Sequence, residues 1–336
     1  MAFWVSSQLL SKEDSQKLLG AIETIHFDWQ RLAKYSFWIS LICICTAVIA
    51  IVTDSVLMEF LEQLFNTPAI VKSLFFLILS GGLYFYGISR KKIKPGKLYS
   101  NESIFFLGVL STAAAIVFLG EAIDTGSGHF SVLILLAAVI YLILGLWFPS
   151  KLAWLFALLS LGSWFGAETG YVSGWGAYYL GMNYPMRFIL FGFVLISVSY
   201  LFKKSGWKNG FFKITRTVGL LYFLIALWIL SIFGNYGDIN SWYQVKQYEL
   251  LHWSLLFAVA ALTTLFHGIK FEDRITKGFG LTFLFINLYT RFFEYFWDSI
   301  HKAIFFALMG LSFWLLGRYA EKIWTIGSES NREISD

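Results

Sequence analysis

Charge is scarce in this chain. Only 14% of its 336 residues are Asp, Glu, Lys or Arg, while 57% are hydrophobic and the mean hydropathy is +0.65. Soluble domains carry roughly 25% charge. The composition therefore excludes an ordinary water-soluble fold and points to a membrane. Cysteine is almost missing. Cys43 and Cys45 lie two apart in an apolar stretch, and on a helix that spacing aims them in different directions. That excludes a sound disulfide between them, and no CxxC motif is present; both read as buried thiols. Proline is rare too. Pro68, Pro95, Pro149 and Pro185 all fall in connections, so no proline-broken span of the kind used in ion-coupled transporters is advertised. The chain also lacks a nucleotide-binding loop, a metal-ligand spacing and a nucleophile motif. Its five histidines, His26, His129, His252, His267 and His301, are scattered. No paired spacing among them supports a metal, and no cofactor is expected.

What the chain has instead is ten apolar stretches. They begin near Lys34, Ala69, Glu102, Phe130, Leu152, Met186, Thr217, Leu251, Gly278 and Ser299. A hydrocarbon core about 30 Å thick needs about 20 apolar residues per helical span. The expected fold is thus all-α: a polytopic transmembrane helical bundle of about ten spans over residues 34–323. Residues 1–33 form a cytoplasmic amphipathic segment, because Ser11, Lys12, Glu13 and Asp14 resemble a helix start and Leu18, Leu19, Ile22 and Ile25 recur at helical spacing. No cleavable signal peptide is visible, so the first stretch is expected to act as an uncleaved anchor. Residues 324–336 form a polar, disordered tail.

Charge orients the spans. With the N-terminus inside and ten alternating spans, the outer half keeps only Lys72, Arg187, Lys246, Arg291 and Lys302 of the 26 basic residues. Every inside connection is basic. This asymmetry predicts that both termini are cytoplasmic. It also accounts for the net charge of +5 without nucleic acid as a partner. The outer half carries ten acids: Asp54, Glu59, Glu62, Glu121, Asp124, Glu168, Asp238, Glu249, Glu294 and Asp298. An acidic mouth concentrates cations, although depleting Lys and Arg outside leaves acids behind for no functional reason.

Other patterns concern packing and surfaces. The outer connections are aromatic, with Tyr171, Trp175, Tyr178, Tyr179 and Tyr184 in the first and Tyr236, Trp242, Tyr243, Tyr248 and Trp253 in or beside the second. An interfacial belt explains them, and a carbohydrate or lipid-headgroup site would use the same residues. Gly162, Gly166, Gly170 and Gly174 recur every four residues, a groove for the close approach of another backbone. Ten spans also divide into two sets of five, and five is odd, so the second set would be inverted as in many secondary transporters. No residue-level match joins the halves.

Two segments carry a family resemblance. The run Trp29-Gln30-Arg31-Leu32-Ala33-Lys34-Tyr35 enters the first stretch, and Tyr289-Thr290-Arg291-Phe292-Phe293-Glu294-Tyr295-Phe296-Trp297-Asp298-Ser299 is followed by Lys302, Phe305 and Phe306. Together they resemble the bacterial membrane proteins of domain-of-unknown-function family 2157. The resemblance implies a bacterial inner membrane and brings no activity with it.

Candidate site residues are the polar groups that lipid should exclude. Asn287, Arg291, Glu294, Asp298 and His301 follow a spacing of 4, 3, 4 and 3, which places them on one helix face. Arg291 lies about 21 Å from Lys277 along that helix, and Arg291 and Glu294 can pair at i,i+3. Either the stripe is a substrate or ion site, or it fastens the last two spans. Glu121 and Glu168 stand about 25 to 28 Å from the inner ends of their spans, near the outer interface; under a roofed cavity they would become proton-handling groups. Three function classes follow. The first is a transporter or permease for a small or lipid-like solute, because intramembrane charges commonly line pathways. The second is a non-transport scaffold, sensor or assembly factor working through residues 1–33. The third, an intramembrane lipid-modifying enzyme, lacks a recognisable nucleophile or metal set, so an enzyme is not the expectation. The lipid bilayer is the certain partner; a cytoplasmic protein at residues 1–33 and a homo-oligomer stay open.

Overall fold

Each of the ten apolar stretches corresponds to one long helix, starting within two turns of its expected position. The computed structural model describes residue 11 and residues 29–53, 68–93, 96, 98–123, 126, 128–204 and 210–325. The amphipathic pattern before residue 29 and the tail after residue 325 lie outside the described residues. The long helices are α1 (Trp29–Thr53), α2 (Ala69–Ile93), α3 (Leu98–Ile123), α4 (Ser131–Trp147), α5 (Lys151–Val172), α6 (Tyr184–Lys204), α7 (Phe211–Phe233), α9 (Leu251–Lys270), α10 (Arg274–Phe296) and α11 (Lys302–Thr325). A five-residue α8 (Ile239–Tyr243) and a 3₁₀ turn (Gln247–Leu250) join α7 to α9. Among the described residues there is no strand, only a single bridge between Tyr179 and Met182. The helix that enters the first stretch begins at Trp29, so the boundary expected at residue 33 falls inside α1.

Among the described residues, six helices are long and apolar enough to cross a membrane: α2, α3, α5, α6, α7 and α9. The chain is a helical membrane protein on that count, and length and composition do not support the expected number of about ten spans. The four helices that fall short do so for identifiable reasons. The apolar parts of α1 and α11 are only Tyr35–Ala47 and Lys302–Leu315. Helix α4 has 17 residues, about 25 Å at 1.5 Å per residue. Helix α10 carries Arg274, Lys277, Asn287, Arg291 and Glu294 within one 23-residue element.

Backbone contacts divide the chain into two units, one of Met1–Thr67 with Ser89–Ile104 and one of Pro68–Ile88 with Phe105–Asp336. In the first, α1 turns Tyr35, Trp38, Ile39 and Ile42 outward. Cys43 and Cys45 are exposed on the same helix, which corrects their reading as buried thiols.

The second unit is built from hairpins. Helices α4 and α5, α6 and α7, and α9 and α10 pack as pairs, and α7 also touches α5, α9 and α10. Lipid offers no hydrophobic drive for helix association, so close backbone approach at small residues matters more. Glycines stand at each crossing. Gly145 meets the Trp154 backbone, Gly192 and Gly219 meet Phe223 and Ile196, and Gly268 and Gly280 meet Lys277 and Leu265. A Cβ on Gly192 would sit 2.5 Å from the Phe223 nitrogen. The Gly162 stripe does something different from the backbone groove expected of it: Gly162, Gly166 and Gly170 make room for the rings of Tyr222, Phe188 and Tyr184, and Gly174 lies beyond the helix in a turn at φ +62°.

Three apolar clusters fill the unit. Tyr84, Phe105, Val109, Tyr141 and Ala157 join α2 to α5; Trp154, Leu158, Phe191, Leu195, Phe211 and Val218 join α5 to α7; Leu220, Leu224, Leu227, Phe257, Ala261 and Phe283 join α7, α9 and α10. Single buried polar bonds tie them. Ser73 donates to the Ala115 carbonyl at 2.8 Å, Tyr141 to the Val109 carbonyl at 2.9 Å and Trp154 to Thr215 Oγ1 at 2.9 Å. Outward, α2 presents Ile78 and Phe85, each about three-quarters exposed at 74% and 75%, as a lipid-facing surface requires.

Candidate functional site

The most developed polar cluster lies where α6 ends, α7 begins and α9 turns into α10. The turn Phe271-Glu272-Asp273-Arg274 is tight, with Glu272 at φ +51° and the Asp273 amide donating to the Gly268 carbonyl at 2.9 Å. Asp273 then caps α10, its Oδ2 accepting from the Thr276 amide at 3.2 Å and from the Thr276 hydroxyl. An acceptor at this position satisfies amides that the helix itself leaves free. The other carboxylate oxygen receives Arg216 Nη2 at 2.9 Å, and both side chains are largely buried. The Arg216 Nε is buried without a hydrogen-bond partner. Beside this pair, the Tyr200 hydroxyl meets His267 Nε2 at 2.6 Å, and Phe271 packs on the imidazole at 4.5 Å.

These groups close one end of a cavity of about 350 Å³. Phe193, Ile196 and Tyr200 come from α6, Arg216, Leu220 and Phe223 from α7, and Leu256, Val259, Ala260, Thr263, Thr264 and His267 from α9, with Thr276 from α10. The walls are almost wholly apolar and include Phe193, Leu256 and Val259, which also face outward. The polar end holds the Arg216 guanidinium, paired with Asp273, beside the Tyr200 and His267 side chains.

The stripe expected on α10 divides. Asn287 is buried and exchanges bonds with α9, accepting from Ser254 Oγ and donating to the Ser254 carbonyl, both at 3.0 Å. Arg291 pairs with Glu294 through two contacts, one of them Nη2 to Oε1 at 2.8 Å, and Nη2 also donates to the Ser231 carbonyl of α7 at 3.0 Å. These three residues point into the bundle. Asp298 and His301 do not share their face, because α10 ends at Phe296. The Asp298 side chain is 96% exposed and 3.9 Å from Lys302 Nζ; His301 Nδ1 accepts from the Ala303 amide at the start of α11.

Glu168 sits in the last turns of α5. Its Oε2 accepts from Ser131 Oγ at 2.6 Å and meets His129 Nε2 at 2.9 Å, while the His129 ring stacks on Tyr171 at 3.9 Å. Ser131 gives its proton to the carboxylate, not to the imidazole, so this is not the arrangement that activates a serine nucleophile. Glu121 is exposed two residues before the end of α3 and lines a cavity of about 760 Å³ together with His129. Among the described residues no three His, Cys, Asp or Glu groups are placed to hold a metal ion.

Sequence reading missed Arg187. It is 1% exposed at the start of α6 and threads the connection before it. Nε donates to the Met182 carbonyl at 3.0 Å, Nη2 to the Ala177 carbonyl at 3.1 Å and Nη1 to Thr169 at 3.4 Å, and the guanidinium lies 4.4 Å from the Tyr184 ring centroid. This is a structural role: a planar fork gathering carbonyls that would otherwise be orphaned. Arg216, Asp273, Tyr200 and His267 were missed as a site because they come from three helices and one turn far apart in sequence. The one legible signal was Asp273 with Thr276 three residues on, a helix-start pattern.

No family model, no curated protein and no solved structure matches this chain.

Proposed function

We propose that this chain is a multi-pass permease of a bacterial inner membrane that takes a lipid-like, anionic solute at the groove between α6, α7 and α9. The observation that carries the reading is the union in one cavity of outward-facing apolar walls, Phe193, Leu256 and Val259, with an end formed by Arg216, Tyr200 and His267. An acyl chain entering from lipid would lie along the walls and bring its headgroup to the basic end. Arg216 is suited to that headgroup because it lines the cavity and a guanidinium binds carboxylate and phosphate through a planar fork. In this reading all ten long helices span, with both termini cytoplasmic. The polar groups of α10 are compatible with a span, since Asn287 bonds to Ser254 and Arg291 pairs with Glu294 and reaches the Ser231 carbonyl inside the bundle.

The test is thermal unfolding of the purified protein in detergent with added dodecyl phosphate or with dodecanol, its uncharged counterpart, followed by flux of a labelled anionic amphiphile into proteoliposomes. The phosphate should raise Tm and the alcohol should not. His267→Asn and Tyr200→Phe, which leave the Arg216–Asp273 pair in place, should reduce that shift. Equal stabilisation by both amphiphiles would remove the headgroup assignment. Binding without flux would replace the permease by a lipid-binding scaffold or sensor, for which deletion of residues 1–33 should abolish the cellular role while the bundle stays folded.

A further inference from the structure

A second cavity, of about 380 Å³, opens at the other end of the α6–α7 hairpin. Small-molecule sites run from about 300 to 1,000 Å³. Two connections build it. The segment before α6 is held by Arg187, as above. Asn183 lashes it to the segment after α7: its Nδ2 donates to the Gly234 carbonyl at 2.8 Å and its amide to Asn235 Oδ1 at 3.0 Å, while Asn235 donates back to the Gly181 carbonyl at 3.0 Å. The cavity is therefore walled by braced loops.

Its lining includes five aromatic side chains, Trp175, Tyr184, Phe233, Tyr236 and Trp242, and Asp238 stands among them. The Trp242 indole is fixed by donating to the Ile232 carbonyl at 2.9 Å and packs on Phe233 at 5.0 Å. Asp238 lies outside the spanning helices and caps α8, accepting from the Ser241 amide at 2.8 Å and the Ser241 hydroxyl at 2.7 Å. Those bonds, the hydroxyl first, hold its carboxyl below the usual range, so it is charged at neutral pH. Ring faces attract cations through their quadrupole, and aromatic cages are a recurrent solution for quaternary ammonium groups. Tyr184 already shows the affinity, with the Arg187 guanidinium over its ring.

We propose that this cavity binds a quaternary ammonium group, with the rings as the cage and Asp238 as the counter-charge. A sugar would stack on the same rings, but it would also need several free planar polar side chains. The Asn183 amide is already spent on Gly234, and its Oδ1 accepts from the Met186 amide at 3.2 Å. Among the carboxylate and amide side chains lining the cavity, that leaves Asp238, which suits a cation better than a polyol. The proposal does not depend on the groove at the opposite end of α6.

The full chain in maltoside micelles, free of choline headgroups, is titrated by calorimetry with choline and with dimethylbutanol, its uncharged isostere. Saturable choline binding at least about tenfold tighter than the isostere is expected, the size of a desolvated cation–π contribution. Asp238→Asn keeps a side-chain acceptor for Ser241 and should weaken choline binding severalfold. Tyr236→Leu should do the same, and provides the test if the first variant loses its fold. Repeating the titration in phosphatidylcholine and phosphatidylglycerol nanodiscs separates the two sources of the group. Competition only in phosphatidylcholine identifies a lipid headgroup, and equal affinity in both identifies a free cation. Equal binding of choline and dimethylbutanol, no saturable binding of either, or unchanged choline affinity in folded Asp238→Asn and Tyr236→Leu overturns the proposal.

Discussion

Arg291 and Glu294 were legible as a pair because i and i+3 meet on any helix; the third member of the interaction was not. The Ser231 carbonyl lies 60 positions away, and nothing in a local pattern announces it. This third contact sharpens the expected behaviour of variants. Arg291→Ala strands a mostly buried carboxylate, and breaking such a pair costs about 3 to 5 kcal/mol, read as a lower midpoint of unfolding in mixed micelles. The exchange of Arg291→Glu with Glu294→Arg restores opposite charges but offers no donor from position 291 to Ser231. Its stability should fall between Arg291→Ala and the parent. An Arg291→Ala variant as stable as the parent would mean that the pair stands in water or among headgroups. Asp298 and His301 were misplaced for a different reason. Spacing places residues on one face only while the helix continues, and α10 stops at Phe296 without a glycine or proline to mark it. Beyond the stop, the Lys302 ammonium reaches back to the Trp297 carbonyl and lies 3.9 Å from the Trp297 ring centroid.

Helices were the most legible elements, because an apolar run of span length has few alternatives to a helix in lipid. Which helices pair, and through which faces, was not legible. The Gly162 stripe has the more regular spacing, yet it accommodates rings. The backbones meet instead at Gly192, Gly219, Gly268 and Gly280, which have no comparable repeat. A repeat reports a helix face; it does not report what covers the face. The same limit hid the groove, since Tyr200 and His267 are 67 residues apart and acquire meaning only once α6 and α9 flank α7. The two kinds of glycine should respond differently to a methyl group. Gly192→Ala drives a Cβ into the Phe223 backbone, which cannot move without shifting a whole helix. Gly162→Ala meets the far end of the Tyr222 side chain, which can rotate. Overpacking costs about 1 to 3 kcal/mol, so Gly192→Ala should fall in that range and Gly162→Ala near its lower end or below. Equal loss of thermal stability in the two variants would contradict backbone contact as the basis of the α6–α7 hairpin.

At the scale of the whole chain, the charge asymmetry and the helix count pull in different directions. Six helices satisfy length and apolarity together, yet the basic residues sort by end as though all ten long helices crossed. Lys203 and Lys204 close α6, Lys213 lies in the first turn of α7, Lys270 closes α9 and Arg274 opens α10. The connections at the other ends of α5 to α9 hold Asp238 and Glu249 against Lys246. Sequential alternation from α5 to α10 would thus give one basic end and one acidic, aromatic end, and the positive-inside bias predicts that the basic end is cytoplasmic. The short α4 does not break the pattern. It packs as a hairpin with α5 through Gly145, and a helix of about 25 Å spans when its neighbours or flanking residues take up the mismatch. Helix α10 shares its polar groups with α7 and α9, Arg291 donating to the Ser231 carbonyl and Asn287 bonding to Ser254. Reporter fusions after Lys204 and Glu272 should therefore read cytoplasmic, and fusions after Gly176 and Asn240 external. A fusion after Phe296 decides the contested count, because an external signal there requires α10 to cross, whereas a cytoplasmic signal leaves it re-entrant or peripheral and removes the alternation on which the ten-span arrangement depends.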